Sequence, residues 1–185
     1  SAGSLEAALR AVGAATAAVD QVMTGMAANA FCAVRPPGHH AEPRQAMGFC
    51  LFANAAIAAL HARAKHGAER IAVVDFDVHH GNGTQAIFWS DKDLFYGSTH
   101  QMPLYPGTGA VGETGVGNIF NAPLREGDRG DAFRFACTDR ILPALDRFRP
   151  DLVVISAGFD AHHRDPLGGL RLTEADFAWI TEKLV

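Results

Sequence analysis

At 185 residues, with 48% hydrophobic and 19% charged residues, the chain is long enough for one domain with a buried core and too short for two. A formal net charge of −4, with basic residues scattered along the chain, excludes the basic footprint of a nucleic-acid binder. Three widely spaced cysteines (Cys32, Cys50, Cys137) fit buried thiols in a reducing compartment rather than a disulfide framework or a zinc finger. No apolar run approaches the ~18 residues of a membrane span. The expectation is a soluble, cytoplasmic protein with no membrane partner and no direct nucleic-acid partner.

Ser4 to Met26 is alanine-rich and carries Leu5, Leu9, Val12, Val19 and Val22 at helical spacing. It predicts a helix capped by Ser4 and ended by Gly25. Ala30 to Val34 reads as a short buried strand, halted by Pro36 and Pro37, neither of which can donate to a sheet ladder. Residues 50–66 form a second alanine-rich helix, stopped by Gly67. "RIAVVDF", Arg70 to Phe76, is a continuous apolar run, as in a strand covered on both faces. A short helix from Thr84 to Trp89 follows, then a strand in "LFYGSTH", Leu94 to His100. Gln101 to Asn118 is dense in Gly and Pro and reads as a long loop. "IFNAPL" is the next strand, and Asp131 to Phe148 a helix kinked at Pro143. "DLVVISAGFD", Asp151 to Asp160, is a further strand, and Thr173 opens the last helix with a capping box to Asp176.

Strands alternating with helices imply a parallel sheet joined by right-handed crossovers, an α/β three-layer domain with helices on both faces. Residues 1–185 read as one domain, incomplete because both ends look cut. The chain opens on a helix without a methionine and stops at Val185 inside a helix that has just begun.

Ligands of open parallel sheets bind beyond the carboxyl ends of the strands. Three polar clusters fall there: His39 and His40 after the first strand, Asp75 to Asn82 after the second, and Asp160 to Asp165 after the last. In extended backbone Asp77 and His79 point to one side, with Asp75 one step behind and His80 turned away. A carboxylate and an imidazole on one face, joined by Asp160, make a three-ligand site with room for water. That pattern belongs to a catalytic rather than a structural metal. Each cluster alone would be an ordinary turn or cap. Together, the like charges of Asp75, Asp77 and Asp160 would repel without a cation. The glycine-rich loop at 107–117 lacks a P-loop's Gly-Lys-Ser/Thr ending and reads as a site rim.

The motifs "RPPGHHAE", "GFC", "DFDVHHGNG", "STH", "PGTG" and "SAGFDAH", in this order through nearly all of the chain, resemble the zinc-dependent histone deacetylase family, including its bacterial deacetylase-like and acetylpolyamine amidohydrolase members. The resemblance implies the arginase-deacetylase fold, with Asp77, His79 and Asp160 holding one Zn2+. It makes His39 and His40 the tandem active-site histidines, backed by Asp75 and Asn82 respectively, with His40 as general base and then acid. Gly48 and Phe49 match one wall of an acyl-lysine tunnel, Tyr105 the facing wall, and Leu167 the rim. Backbone carbonyls of Asp75, Asp77 and His79, with Ser98 and Thr99, resemble the family's structural K+ or Na+ site. His162 and His163 read as rim or solvent. The implied reaction is removal of acetyl or short acyl groups from lysine side chains or polyamines by metal-activated water, with a homo-oligomer left open.

The family's catalytic tyrosine sits in a Gly-Gly-Tyr motif. Neither Tyr96 nor Tyr105 lies in such a context, so the 185 residues alone are expected to be inactive. Three alternatives stand beside this reading. One is an acetylpolyamine-specific deacetylase, and another a catalytically impaired acyl-lysine-binding module of the same fold. The third is an arginase-like enzyme with two manganese ions, against which Asn82 and the His doublet argue.

Overall fold

The computed structural model describes residues 2–185. Four strands, β1 (Ile71–Asp75), β2 (Leu94–Gln101), β3 (Ile119–Leu124) and β4 (Leu152–Ser156), form one sheet in the order β3-β2-β1-β4. All pairings are parallel, and Asp75 stands level with Ser98 on one side and Ser156 on the other. β1 and β4 therefore end level, while β2 runs on from Ser98 to Gln101.

The fully buried run of β1 covers both faces by simple alternation. Ile71 and Val73 pack with Val19, Ala59, Tyr96 and Phe88, under α1 (Ser4–Met23), α2 (Asn54–His66) and α3 (Asn82–Phe88). Ala72 and Val74 pack on the opposite face with Phe95, Ile141 and Leu145. Phe95 belongs to β2, and Ile141 and Leu145 come from the helical stretch made of α4 (Gly130–Ala136), a π-turn (Cys137–Ile141) and α5 (Leu142–Phe148). Helices thus lie on both faces, as a three-layer domain requires. A third cluster of Phe76, Val78, Phe133, Leu172 and Phe177, with α6 (Glu174–Leu184), closes one end of the sheet beside the site.

Several element boundaries differ from expectation. Ala30 to Val34 is not a strand; Phe31 is 77% exposed, and no strand among the described residues pairs with it. A short apolar run becomes a strand only where a sheet edge accepts it. The second helix begins at Asn54 rather than residue 50, because residues 47–50 close a tight turn with Cys50 N–H donating to the Met47 carbonyl at 2.9 Å. The first helix starts at Ser4 itself, with Gly3 at the cap position in the left-handed region (φ 86°). Its last residue is Met23, two before Gly25. The third starts at Asn82, two residues ahead of Thr84. At Pro143 the chain stays helical, and the π-turn before it supplies the wider winding that a residue without an N–H and with a bulky ring requires. The capping box at Thr173 and Asp176 is present, with Thr173 N–H donating to Asp176 Oδ2 at 2.9 Å.

Candidate active site

Asp77, His79 and Asp160 bring one ligand atom each to within 4.8 Å of one another, half-buried at the carboxyl end of the sheet. The route there is not the extended backbone expected from the spacing. β1 stops at Asp75, and the chain then bends, because successive side chains take over backbone donors. Asp75 Oδ1 accepts from Asp77 N–H at 3.1 Å, and Asp77 Oδ1 from His79 N–H at 2.8 Å. Short polar side chains that capture the amide two residues on are turn formers. Asp160 arrives from the loop after β4, where its Oδ1 accepts Val78 N–H at 2.9 Å. A Cβ on Gly158 would overlap Asp77 Oδ2, so only glycine lets the two loops approach.

His79 Nδ1 faces Asp77 Oδ1 at 3.1 Å and Asp160 Oδ2 at 3.0 Å. The two carboxylates, Asp160 first, hold the imidazolium proton and push its pKa to about 10. A divalent ion competes for that same nitrogen lone pair, and two carboxylates with one imidazole form a donor set that accepts zinc. The residues fit a metal: the cluster as it stands needs a cation between two anions. Each carboxylate also spends a second contact on a backbone amide, which fixes its orientation.

Behind the cluster lie the two tandem histidines. They are delivered by the loop before α2, not by a strand as expected. His39 Nδ1 lies 3.0 Å from Oδ2 of the fully buried Asp75, and its Nε2 is 3.8 Å from Asp77. Burial opposes the imidazolium, but Asp75 overcomes it, and the pKa rises to about 9. Asp75 therefore backs His39 instead of joining the ligand atoms. Its Oδ2 also accepts the hydroxyl of the fully buried Tyr96 at 3.3 Å, and that hydroxyl accepts Gly81 N–H at 3.1 Å.

His40 stacks obliquely on His39, ring centres 4.0 Å apart, and its Nδ1 lies 2.9 Å from Asn82 Oδ1. Asn82 donates through Nδ2 to Glu42 at 2.8 Å. A carboxylate only accepts, so the Asn82 oxygen must face His40 and Nδ1 must carry the proton. Nε2 is left with its lone pair, and it has no partner among the described residues. Burial, and then the adjacent His39 cation, lower the His40 pKa to about 4. One histidine is held charged and its neighbour neutral.

Gly48, at φ 55°, lies against the His40 ring, with an added Cβ only 2.6 Å from His40 Cγ. Phe49 follows at φ 65° and is 91% exposed. Tyr105 meets His40 edge-on at 5.0 Å and His79 at 6.3 Å. The two candidate walls, Gly48 and Tyr105, therefore both flank His40, and Leu167 is exposed. Ser98 and Thr99 are buried in β2 beside Asp75; the Ser98 hydroxyl pairs with His100 Nδ1 at 3.0 Å. His162 and His163 stand clear of the ligand cluster: His162 Nε2 is 3.5 Å from Glu174, and His163 bonds the Leu172 carbonyl.

The glycine-rich rim is pinned by buried neutral histidines that sequence reasoning left without a role. Gln85 donates to Glu113 at 2.6 Å, so its oxygen accepts from His80 Nε2 at 3.0 Å, and His80 Nδ1 then accepts the Thr108 hydroxyl at 2.7 Å. His100 Nε2 donates to the Gly109 carbonyl at 3.0 Å. Glu42 and Tyr96 were missed too. Glu42 carries a signal within the "GHHAE" motif, whereas Tyr96 looks like any core aromatic of a strand.

The Histone deacetylase domain family matches residues 1–185. The chain is 49% identical over 184 residues to a histone deacetylase-like amidohydrolase of Pseudomonas aeruginosa, covering 97% of this chain and 48% of that protein. Among solved structures, the HDA15 HD domain superposes with a TM-score of 0.93 at 46% identity, covering 96% of this chain and 52% of the other. An acetylpolyamine aminohydrolase from Burkholderia pseudomallei gives 0.86 at 40% identity, covering 92% and 51%. The chain spans about half the length of these relatives. With the four-stranded parallel sheet, they show the arginase-deacetylase fold, and the chain belongs to the histone deacetylase family.

Proposed function

We propose that the protein is a zinc-dependent amidohydrolase that removes acetyl or other short acyl groups from the amine of a long unbranched chain, either a lysine side chain or a polyamine. The observation that carries this reading is the convergence of Asp77, His79 and Asp160 beside a neutral histidine whose Nε2 is free to take a proton. The names of the relatives, a deacetylase-like amidohydrolase and an acetylpolyamine aminohydrolase, support an acyl-amide substrate.

When bound by the three ligands, the ion supplies Lewis-acid polarisation of the acyl carbonyl and acidification of water. The remaining chemistry belongs to the chain. His40 Nε2 takes the proton of the attacking water and returns it to the departing amine nitrogen, while Nδ1–H stays on Asn82. His39, held charged by Asp75, stabilises the negative charge that develops on the acyl oxygen. Phe49 and Tyr105 flank the approach to His40 and favour an apolar, unbranched chain. Carbonyls of Asp75, Asp77 and His79, with Ser98 and Thr99, hold a structural K+ or Na+, a role that the pairing of buried Asp75 with buried Ser98 supports.

The two tyrosines do not supply the donor implied by the resemblance, since Tyr96 is committed to Asp75 and Gly81, and Tyr105 packs edge-on against His40. Missing one such preorganised donor costs ~10²–10³ in kcat, so residues 1–185 alone would show only trace activity.

The test is Asp160→Ala in the full-length protein, with metal content and hydrolysis of acetyl-lysine peptides and acetylpolyamines measured together. Loss of one equivalent of zinc relative to the parent, together with turnover, is expected. Zinc content equal to the parent's with full activity would overturn the ligand assignment.

A further inference from the structure

A second group of metal-type ligands lies away from the active site, where α1 meets α2. Asp20 belongs to the last turn of α1, His61 to α2, and His66 is the residue on which α2 ends. Asp20 Oδ1 is 2.8 Å from His61 Nε2 and 2.7 Å from His66 Nε2. The three ligand atoms lie within 4.8 Å of one another, and all three side chains are half-buried.

Three features distinguish this group from a chance surface ion pair. Small residues at the helix contact, Ala15 on α1 with Ala58, Ala59 and Ala62 on α2, pack in one cluster with Val19, so the ligands are held by packed helices rather than by flexible loops. The carboxyl ends of both helices meet there, and their macrodipoles favour a cation. Neither imidazole makes another hydrogen bond among the described residues, so both Nε2 atoms point at the shared oxygen without competition. Lys65 occupies the other oxygen, Oδ2, at 2.7 Å. With His66 and His61 it holds the Asp20 carboxyl well below the usual carboxylate range, keeping it an anion at any working pH.

We propose that Asp20, His61 and His66 form a second, open metal site that takes one late first-row divalent ion, such as zinc, and clamps α1 onto α2. Two imidazoles and one carboxylate select zinc, copper or nickel over magnesium and calcium, which prefer oxygen. Three ligands leave a position for water, as in exchangeable sites. Affinity is modest, because neither histidine has an outer-shell acceptor on Nδ1 and Lys65 adds a nearby positive charge.

The test is a zinc titration by calorimetry, with metal analysis after gel filtration, on full-length protein dialysed metal-free. The readout is the difference of one equivalent between the parent and the His61→Gln/His66→Gln variant. Because only a difference is read, it does not depend on whether Asp160 is a ligand of the active-site ion. Lys65→Ala, which keeps all three ligands, is expected to tighten the second binding event several-fold. As a control on folding, the far-ultraviolet circular dichroism of the double-histidine variant should match the parent's. Equal zinc content in the parent and the folded double-histidine variant would overturn the proposal.

Discussion

Asn82 presents its carbonyl oxygen to Nδ1 of His40 at 2.9 Å, and its amide nitrogen is held the other way by Glu42 at 2.8 Å, with Met47 Sδ at 3.3 Å. A carboxylate 40 residues from the asparagine thereby sets which nitrogen of the histidine bears the proton. If Glu42 is replaced by Ala, the amide is free to turn and offer Nδ2 to His40, which favours the wrong tautomer. Outer-shell changes of this kind typically cost about 10–100-fold in activity. Glu42→Ala should lower kcat by that order with little change in KM, whereas Glu42→Gln, whose oxygen still accepts, should stay near the parent. Equal losses in both variants would show that the acceptor is not what matters.

Burial, and then the His39 cation, keep His40 neutral, with a pKa lowered to about 4. Asn82→Asp puts a carboxylate against Nδ1 and stabilises the imidazolium. The protonated, inactive form then persists to higher pH, so the acidic limb of the kcat/KM profile should move upward. An unmoved limb would mean that His40 is not the titrating base.

Gly158 makes room for Asp77, whose Oδ2 a Cβ there would overlap. Gly158→Ala must push Asp77 away from Asp160, opening the ligand set. The expected result is a large loss of bound metal while the far-ultraviolet circular dichroism is retained. Full metal occupancy in the variant would show that the loop after β4 can yield at no cost to the site.

His100 is fully buried, and burial first, then neighbouring His80, lower its pKa from 6.5 to about 4. Between these values the unfolded chain binds the proton and the folded chain does not. Stability from this group is therefore complete above pH 6.5 and is lost as pH falls through about 4, by roughly 3 kcal/mol in all. His100→Gln should be less stable at pH 7, because it weakens the hold on Gly109, yet should lose less between pH 6.5 and 4 in urea titrations. A pH slope as steep as the parent's would remove His100 from the acid response.

The sheet was legible because β1 and β4 are unbroken apolar runs, and the burial of β1 on both faces leaves few other conformations for such a run. Ala30–Val34 looked similar over five residues and failed, since strand formation needs a partner edge that no local pattern can report. Asp77, His79 and Asp160 were readable from spacing, although by a wrong route: the residues meet through a bend made by their own side chains, not through an extended strand. The same spacing of two serves both geometries. Tyr96 and Glu42 act across 21 and 40 residues of chain, and nothing local marks a core tyrosine or a loop glutamate as a partner of Asp75 or Asn82. The tautomers of His40 and His80 became readable only once the amides of Asn82 and Gln85 had their own acceptors.

Phe49 holds a left-handed backbone, uncommon for a bulky residue, and leaves its ring 91% exposed to water next to the glycine that cradles His40. Such a ring has little to gain until an apolar chain lies across it. For a substrate threaded between Phe49 and Tyr105, each methylene removed from water contributes about 0.8 kcal/mol, close to a fourfold change in binding. The entrance would then act as a ruler. It would grade acyl-amines by the number of carbons between the amide and the next polar group, and the charge or sequence beyond that point would matter less than the count.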